Sequence, residues 1–251
     1  MHDYEPAPAL LQGRVILVTG AGRGIGRTAA LTFATHGATT VLLGRKVPAL
    51  ESLYDDILAA GGPQPAIYPL DLLGANPSDY ADMAGRLGGA LGHLDGLLLN
   101  AGQLGTLGPL EHSDPEEFVR VLHVNLTANY LLCRACLPLM RQSADASIVL
   151  ISSDVGRKGA AYWGAYSISK HGIEGLTQVL AGELEQTQVR VNALNPGAVR
   201  TAMRANAYPA EDRRGLPEPQ ALMVPYLYLL GPDSKGVTGN SFDAQPQTPK
   251  S

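Results

Sequence analysis

Thr19-Gly20-Ala21-Gly22-Arg23-Gly24-Ile25-Gly26 decides how this chain folds. The stretch follows an apolar run, Val15–Val18, and leads into a helical pattern, Ile25–His36. The generic GxGxxG spacing does not fit, because each register lacks its last glycine; Gly20-xxx-Gly24-x-Gly26 does. One glycine turns the chain sharply off a strand. A second lets backbone N–H groups approach a pyrophosphate at a helix N-terminus, and a third brings helix and strand close together. A glycine-rich loop without a ligand is the plain alternative. The position between strand and helix favours the anion-binding turn.

Outward from this turn, apolar runs alternate with helix-length segments. Val41–Leu43, Ala66–Leu70, Leu97–Leu99, Ile148–Ile151 and Val189–Leu194 read as further strands. They are near-continuously apolar, as parallel strands covered on both faces must be. Val47–Ala60, Asp79–Leu91, Pro115–Arg141 and Tyr166–Glu185 read as helices. In the last, Ile173, Leu176, Leu180 and Leu184 share one face. Strand–helix alternation specifies an α/β, doubly wound parallel sheet with right-handed crossovers. Three segments fall outside this rhythm: an N-terminal arm over 1–13, a polar, Arg-rich stretch over 199–219 that reads as a substrate loop or lid, and a Pro-containing tail over 243–251 expected to be extended or frayed.

Composition narrows the class. The chain has 251 residues, and one domain of that size is ordinary for an α/β fold. Two cysteines exclude a disulfide scaffold. A net charge of −4 argues against a nucleic-acid partner or a polybasic membrane surface. No apolar run is long enough to span a bilayer, and the first residues resemble neither a signal nor a transit peptide. A cytoplasmic protein is the expectation.

The second strand ends at Leu43-Gly44-Arg45-Lys46. A dinucleotide site selective for NAD places an Asp or Glu there for the ribose 2′-OH. None is present. Arg45, with Arg23 in the glycine turn, suits a 2′-phosphate, because a guanidinium offers planar forked donors. Two solvated arginines are the bland reading; the missing acid and the two bases together favour NADP(H) over NAD(H).

Tyr166-Ser167-Ile168-Ser169-Lys170 puts a phenol and an ammonium one helical turn apart. A nearby lysine favours the phenolate, which would make the tyrosine an acid/base near neutral pH. The pair alone is weak. Three polar strand ends add to it: Asn100-Ala101-Gly102, Ser153 and Asn195-Pro196-Gly197. The C-terminal strand ends of a doubly wound sheet line its ligand crevice.

These residues together resemble the short-chain dehydrogenase/reductase family over roughly 13–242. The matching motifs are the glycine turn Thr19–Gly26, Asp71-Leu72, Asn100–Gly102, Asn125, Ser153, Tyr166–Lys170 and Asn195–Gly197. More narrowly, the WGAYSISK, TAMRANAYPAED and TGNSFDAQP stretches are similar to bacterial YciK-type oxidoreductases. The resemblance implies a single Rossmann-like domain of about seven strands in the order 3-2-1-4-5-6-7. It implies that Tyr166 is the general acid or base, that Lys170 lowers its pKa and holds the nicotinamide ribose, and that Ser153 hydrogen-bonds the substrate oxygen. Asn125 would anchor a water of the proton relay. Gly20, Gly22, Arg23, Gly24, Ile25 and Gly26 would hold phosphate. Asp71 and Leu72 would face adenine, Asn100, Ala101 and Gly102 the adenosine ribose, and Pro196, Gly197, Val199 and Thr201 the carboxamide and pyrophosphate. Gln103, Asp154 and Met203 would line the substrate pocket. Tyr162 and Trp163 are either substrate-facing or an aromatic plug under the helix start. Leu99 stands where many relatives carry Asn, a position read as structural. The resemblance also implies a homodimer or homotetramer built on the Pro115–Arg141 and Tyr166–Glu185 helices.

The expected activity is interconversion of a small-molecule carbonyl and a secondary alcohol. A 3-oxoacyl-thioester reductase, using Arg200, Arg204, Arg213 and Arg214 to dock an acidic carrier protein, is an alternative. A non-catalytic NADP(H)-binding regulator is another, although it would have no need of Ser153. Cys133-Arg134-Ala135-Cys136 lies among leucines and alanines and reads as two packed thiols. The six histidines show no ligand spacing, so no metal is expected.

Overall fold

Alternation along each strand builds two cores on one sheet. In β1 (Val15–Thr19), Val15 and Leu17 join one apolar cluster while Ile16 and Val18 join the other. Leu97 and Leu99 of β4 (Gly96–Leu99) oppose Leu98 in the same way, as do Ile148 and Leu150 against Val149 and Ile151 of β5 (Ala146–Ile151). Successive side chains point to opposite faces, so a continuous apolar run demands cover on both sides. The computed structural model, which describes residues 4–246, completes the sheet with β2 (Thr39–Gly44), β3 (Ala66–Pro69), β6 (Val189–Asn195) and β7 (Ser241–Asp243). All pairings are parallel and the order is 3-2-1-4-5-6-7, as expected.

Helices α1 (Gly24–Thr35) and α2 (Val47–Ala59) cover one face through Phe33, Leu53 and Ile57. Helix α3 (Pro77–Leu91) covers the other through Tyr80 and Met83. The expected single helix over Pro115–Arg141 is instead three pieces. Helix α4 (Pro115–Leu122) passes through a π-helical turn (His123–Thr127) into α5 (Ala128–Met140). The extra residue in that turn rotates α5 relative to α4, a device that local propensity does not encode. Cys133 and Cys136 lie on α5, buried in the α3 side of the core, and burial pushes the Cys136 thiol up to about 12 and that of Cys133 higher. They are packed thiols.

Among the described residues, four α-helices lie beyond β5: α6 (Asp154–Arg157), α7 (Gly164–Glu183), α8 (Ala202–Ala207) and α9 (Met223–Leu230). The expected irregular loop over 199–219 is therefore partly helical. It is closed by Arg200 N donating to the Pro217 carbonyl at 2.9 Å. The tail, expected to be extended or frayed, is extended where it is described. Phe242 and Asp243 belong to β7, Ala244 is buried, and the Gln245 amide donates to the Pro196 and Ala198 carbonyls at 2.8 and 2.9 Å. Residues 247–251 of that tail lie outside the described residues, as do residues 1–3 of the N-terminal arm. The rest of the arm is tied down, with Leu11 fully buried and its N–H donating to the His36 carbonyl at 3.0 Å.

At the sheet edge away from the strand C-termini, Asp145 bridges two arginines. It accepts from Arg14 Nη1 at 3.0 Å and from Arg190 Nε at 3.2 Å. Arg190 also donates to the Leu229 and Gly231 carbonyls at 3.1 and 3.0 Å, so one guanidinium joins β6 to the end of α9. Its side chain is 6% exposed, and a buried cation without its anion is costly. Asp145→Ala is expected to lower the unfolding free energy by about 3 kcal/mol in urea titration, whereas Asp82→Ala, which removes an exposed α3 ion pair to Arg86, should cost under about 1 kcal/mol.

Candidate active site

The glycine turn sits at the C-terminal end of β1. Gly20 and Gly24 have φ of +67° and +54°, a region in which a Cβ is strained. Gly26 answers a different need: a Cβ there would lie 2.5 Å from the Gly20 carbonyl oxygen and 2.6 Å from Asn100 Nδ2. It sits behind the turn and lets α1 start against β4. Thr19, fully buried, joins the same two strands. Its Oγ1 accepts from the Asn100 and Ala101 N–H groups, both at 2.9 Å, and Asn100 Nδ2 donates to the Thr19 carbonyl at 3.1 Å. The strand ends are thus fixed before any ligand arrives.

A cleft of about 360 Å³ opens above them. At one end it is lined by Gly20, Gly22, Arg23, Gly24 and Ile25. Beside these come Arg45 and Lys46 from the end of β2, and Asp71 and Leu72 after β3. Arg45 lies 3.9 Å from Asp71, and both side chains are about half exposed (54% and 51%). An ion pair this exposed is weak, so Arg45 can turn to a stronger anion. Positive charge, a helix N-terminus and a close-approach glycine turn fit a phosphate-bearing dinucleotide. Lys46 is an addition to the expected set; its place directly after Arg45 was the available signal.

The other end of the cleft is lined by Gly102, Gln103, Tyr166, Lys170, Pro196, Thr201 and Met203, with Asn100 and Ala101 between the two ends. Lys170 is 3% exposed, and its Nζ donates to the Ile151 carbonyl at 2.6 Å. Burial pulls its pKa down to about 8, while the Glu174 carboxylate, one turn along α7, acts the other way. Burial pushes the Tyr166 phenol up to about 12, and the Ser153 hydroxyl within hydrogen-bonding reach opposes this. The expected lowering of the phenol by Lys170 is thus outweighed by burial: the ammonium lies 5.6 Å from the ring centroid, engaged with a carbonyl.

The remaining expected residues surround this end without forming its floor. Ser153 precedes α6 and stands beside Tyr166, because Gly156 lets α6 lie directly on α7: a Cβ there would meet Lys170 Cβ at 2.6 Å. Asn125, fully buried, is in the π-helical turn behind Gly102. Its Oδ1 accepts from Gln103 N at 2.7 Å, and its Nδ2 donates to the Gln103 carbonyl at 2.8 Å and to Ser169 Oγ at 3.0 Å. Asp154 accepts from Asn195 Nδ2 at 2.9 Å, which ties it into the strand ends rather than leaving it to line the pocket. Gly197 has φ of +72° and abuts Gln245. Val199 is buried in the α1 side of the core. Trp163 packs on Tyr166 with ring centroids 5.8 Å apart, while Tyr162 is 65% exposed. Among the described residues no His, Cys, Asp or Glu cluster could hold a metal.

The family profile described as short chain dehydrogenase matches residues 14–212. The chain is 47% identical to the uncharacterized oxidoreductase YciK of Escherichia coli (strain K12), over 98% of this chain and 97% of that protein. A short chain dehydrogenase structure from Pseudomonas syringae superposes with a TM-score of 0.95 at 53% identity, covering 97% of this chain and 99% of the other. A short chain dehydrogenase of Shigella flexneri 2a, solved in complex with NADP, superposes with a TM-score of 0.94 at 46% identity, covering 96% of this chain and all (100%) of the other. On the profile, the near-full-length identity and the shared strand order, this chain belongs to the short chain dehydrogenase family.

Proposed function

We propose that this protein is an NADP(H)-dependent oxidoreductase that interconverts a ketone and a secondary alcohol. One observation carries the reading: a half-buried phenol and a buried ammonium open into the same cleft as a glycine turn flanked by Arg23 and Arg45. The NADP complex of the Shigella relative supports the choice of cofactor. The glycine turn would hold the pyrophosphate, Arg23 and Arg45 the 2′-phosphate, Asp71 and Leu72 the adenine. Asn100, Ala101 and Gly102 would back the ribose, and Pro196, Gly197, Val199 and Thr201 the carboxamide side. When bound, the cofactor supplies or accepts the hydride.

The chain itself supplies position and a proton. Ser153 donates a hydrogen bond to the substrate oxygen and steadies the negative charge that develops there. Tyr166 Oη, protonated throughout the neutral range, gives that oxygen its proton in reduction and takes it back in oxidation. Lys170 restores the phenol proton. Asn125 anchors the relay to solvent through its backbone carbonyl, which already accepts from Asn129 Nδ2 at 2.6 Å.

The carrier-protein alternative loses support from the loop charges. Arg200 pairs with Glu218, Arg204 with Glu211 and Arg214 with Asp212, at 2.7, 2.6 and 2.9 Å. With three of its four arginines paired to acids of the same loop, the patch offers a weakened field to an acidic protein, so a small free carbonyl compound is the better match. Assembly is supported by apolar exposure. Ile168 and Val179 lie three turns apart on one side of α7, 44% and 58% exposed, near the 63% exposed Val119 of α4. Light scattering should therefore report an oligomer rather than a mass of 26.4 kDa.

Tyr166→Phe is expected to cut carbonyl reduction by about a thousandfold while NADPH binding, followed by nicotinamide fluorescence, is retained; equal turnover in the two proteins would defeat the proposal. For wild type, kcat/KM for reduction should be flat below about 8 and fall above it, as the Lys170 ammonium is lost, and oxidation should rise over the same range. Glu174→Gln should move that break to lower pH, since its carboxylate holds the Lys170 proton on. Arg45→Ala should weaken NADPH binding by about tenfold to a hundredfold, the worth of one charge-assisted contact, with NADH binding little changed.

A further inference from the structure

The helix that follows Ser153 is too short to hold itself. Helix α6 is a single turn, closed by Gly156 N donating to the Ser153 carbonyl at 2.9 Å and Lys158 N to the Asp154 carbonyl at 3.0 Å. One turn fixes several dihedral angles for each bond it forms, so it is unfavourable alone. Ser153 occupies its N-cap with extended backbone, the place from which a serine hydroxyl ordinarily accepts a backbone N–H of the first turn. Here the side chain makes no such bond. The hydroxyl lies within hydrogen-bonding reach of the Tyr166 phenol instead. Capping and chemistry compete for one oxygen, and capping is given up.

What holds the turn comes from outside it, and every residue of α6 takes part. Asp154 Oδ1 accepts from Asn195 Nδ2 of β6 at 2.9 Å, the Val155 carbonyl accepts from Ser167 Oγ of α7 at 2.6 Å, and Gly156 lies against Lys170 of α7. Arg157 makes the largest set of contacts. Its Nε donates to Ser241 Oγ at 2.9 Å, its Nη2 to the Phe242 carbonyl at 2.7 Å and its Nη1 to Asp243 Oδ1 at 2.7 Å. One guanidinium therefore engages all three residues of β7, while the Glu174 carboxylate of α7 stands 3.4 Å from its Nε. The Arg157 and Asp243 side chains are 26% and 21% exposed, and charge-assisted bonds from a planar fork are both strong and directional. Strand β7 is itself paired with Ala193 to Asn195 of β6. Arg157 thus hangs the serine's helix on the edge of the sheet.

Resting on the reductase reading above for the role of Ser153, we propose that Arg157 is a positioning residue: its grip on β7 holds the uncapped α6, and through it sets the Ser153 hydroxyl beside Tyr166. Neither Arg157 nor a residue of β7 lines the cleft, so the effect passes through Ser153. A hydroxyl moved by a fraction of an ångström keeps its chemistry and loses its aim, which acts on the transition state rather than on the binding of substrate or cofactor.

Amide hydrogen exchange reads this clamp without turnover. In Arg157→Met, which keeps the apolar stem, the Gly156 and Lys158 amides should exchange at least about tenfold faster than in wild type, while the amides of β1 and the affinity for NADPH stay in place. Arg157→Lys keeps the charge beside Asp243 and Glu174 but not the fork. It should show the same change in smaller measure, and it carries the test where the Met variant does not fold. Turnover is measured below the break near pH 8, so that Lys170 is charged in every protein. There, Arg157→Met should lower kcat for ketone reduction by about a hundredfold, with KM within about threefold. Ser153→Ala should lower kcat about a hundredfold by itself. Adding Arg157→Met to Ser153→Ala should then cost less than about another twofold, whereas a general loss of folded protein would multiply the two effects. The inference is overturned if the α6 amides exchange at the wild-type rate in both variants, or if the two kcat losses multiply. The reductase reading fails separately: α6 exchange would still quicken in Arg157→Met and NADPH would still bind, but the wild type would reduce no ketone.

Discussion

A buried ammonium holds the Tyr166 end of the cleft together. Lys170 is 3% exposed and reaches the carbonyl of Ile151, the last residue of β5, at 2.6 Å. An isolated charge in such a place would be too costly to keep, so its surroundings must either satisfy it or neutralise it. Both occur in part. The strand-end carbonyl accepts one N–H, Glu174 contributes favourable charge one turn away, and burial brings the proton within reach of neutral pH. The helix carrying Lys170 can sit this close because Gly156 of α6 removes the side chain that would collide with it.

The same constraint extends to the C-terminal strand. Glu174 accepts from Ser152, the neighbour of Ser153, and from Ser241 of β7, and pairs with Arg157 at 3.4 Å. Arg157 binds Asp243 at 2.7 Å, and Asp243 accepts from Asn195 at 2.8 Å. Gln245 then holds the two carbonyls that flank Gly197. A strand of three residues, at the far edge of the sheet, thereby fixes the loop after β6 and the approach to Ser153. Polar networks of this sort rigidify a site only when every member is satisfied.

At the opposite end of the cleft, the work is done by backbone. Thr19 welds the ends of β1 and β4, and the glycines beyond it leave N–H groups exposed at the start of α1. Arg45 stands over this end in a loose, half-exposed pair with Asp71. The result is a division of labour: fixed geometry at the proposed proton-transfer end, adjustable side chains at the end proposed to read the cofactor's phosphate.

Much of this was legible without coordinates. The glycine spacing, the apolar strands and the strand-end position of Asn100, Ser153 and Asn195 come from local pattern and from the rule that a doubly wound sheet gathers its C-terminal edges, while the strand order came with the family resemblance. The missing acid after β2, with Arg45 in its place, was likewise readable from type and position. The features the sequence could not decide depend on contacts between distant segments. The π-helical turn at Asn125 breaks a stretch whose periodicity reads as one helix, because the side chain is recruited by the backbone of Gln103. Which of extended or frayed the tail would be was settled by partners about 50 residues back, in Asn195 and Pro196, which hold its start as β7. Tyr166 ends up with a raised rather than a lowered pKa, because desolvation is a property of the folded surroundings and not of the Tyr–Lys spacing. Local composition set the elements and their chemistry; burial and long-range hydrogen bonding set how those groups titrate and what they face.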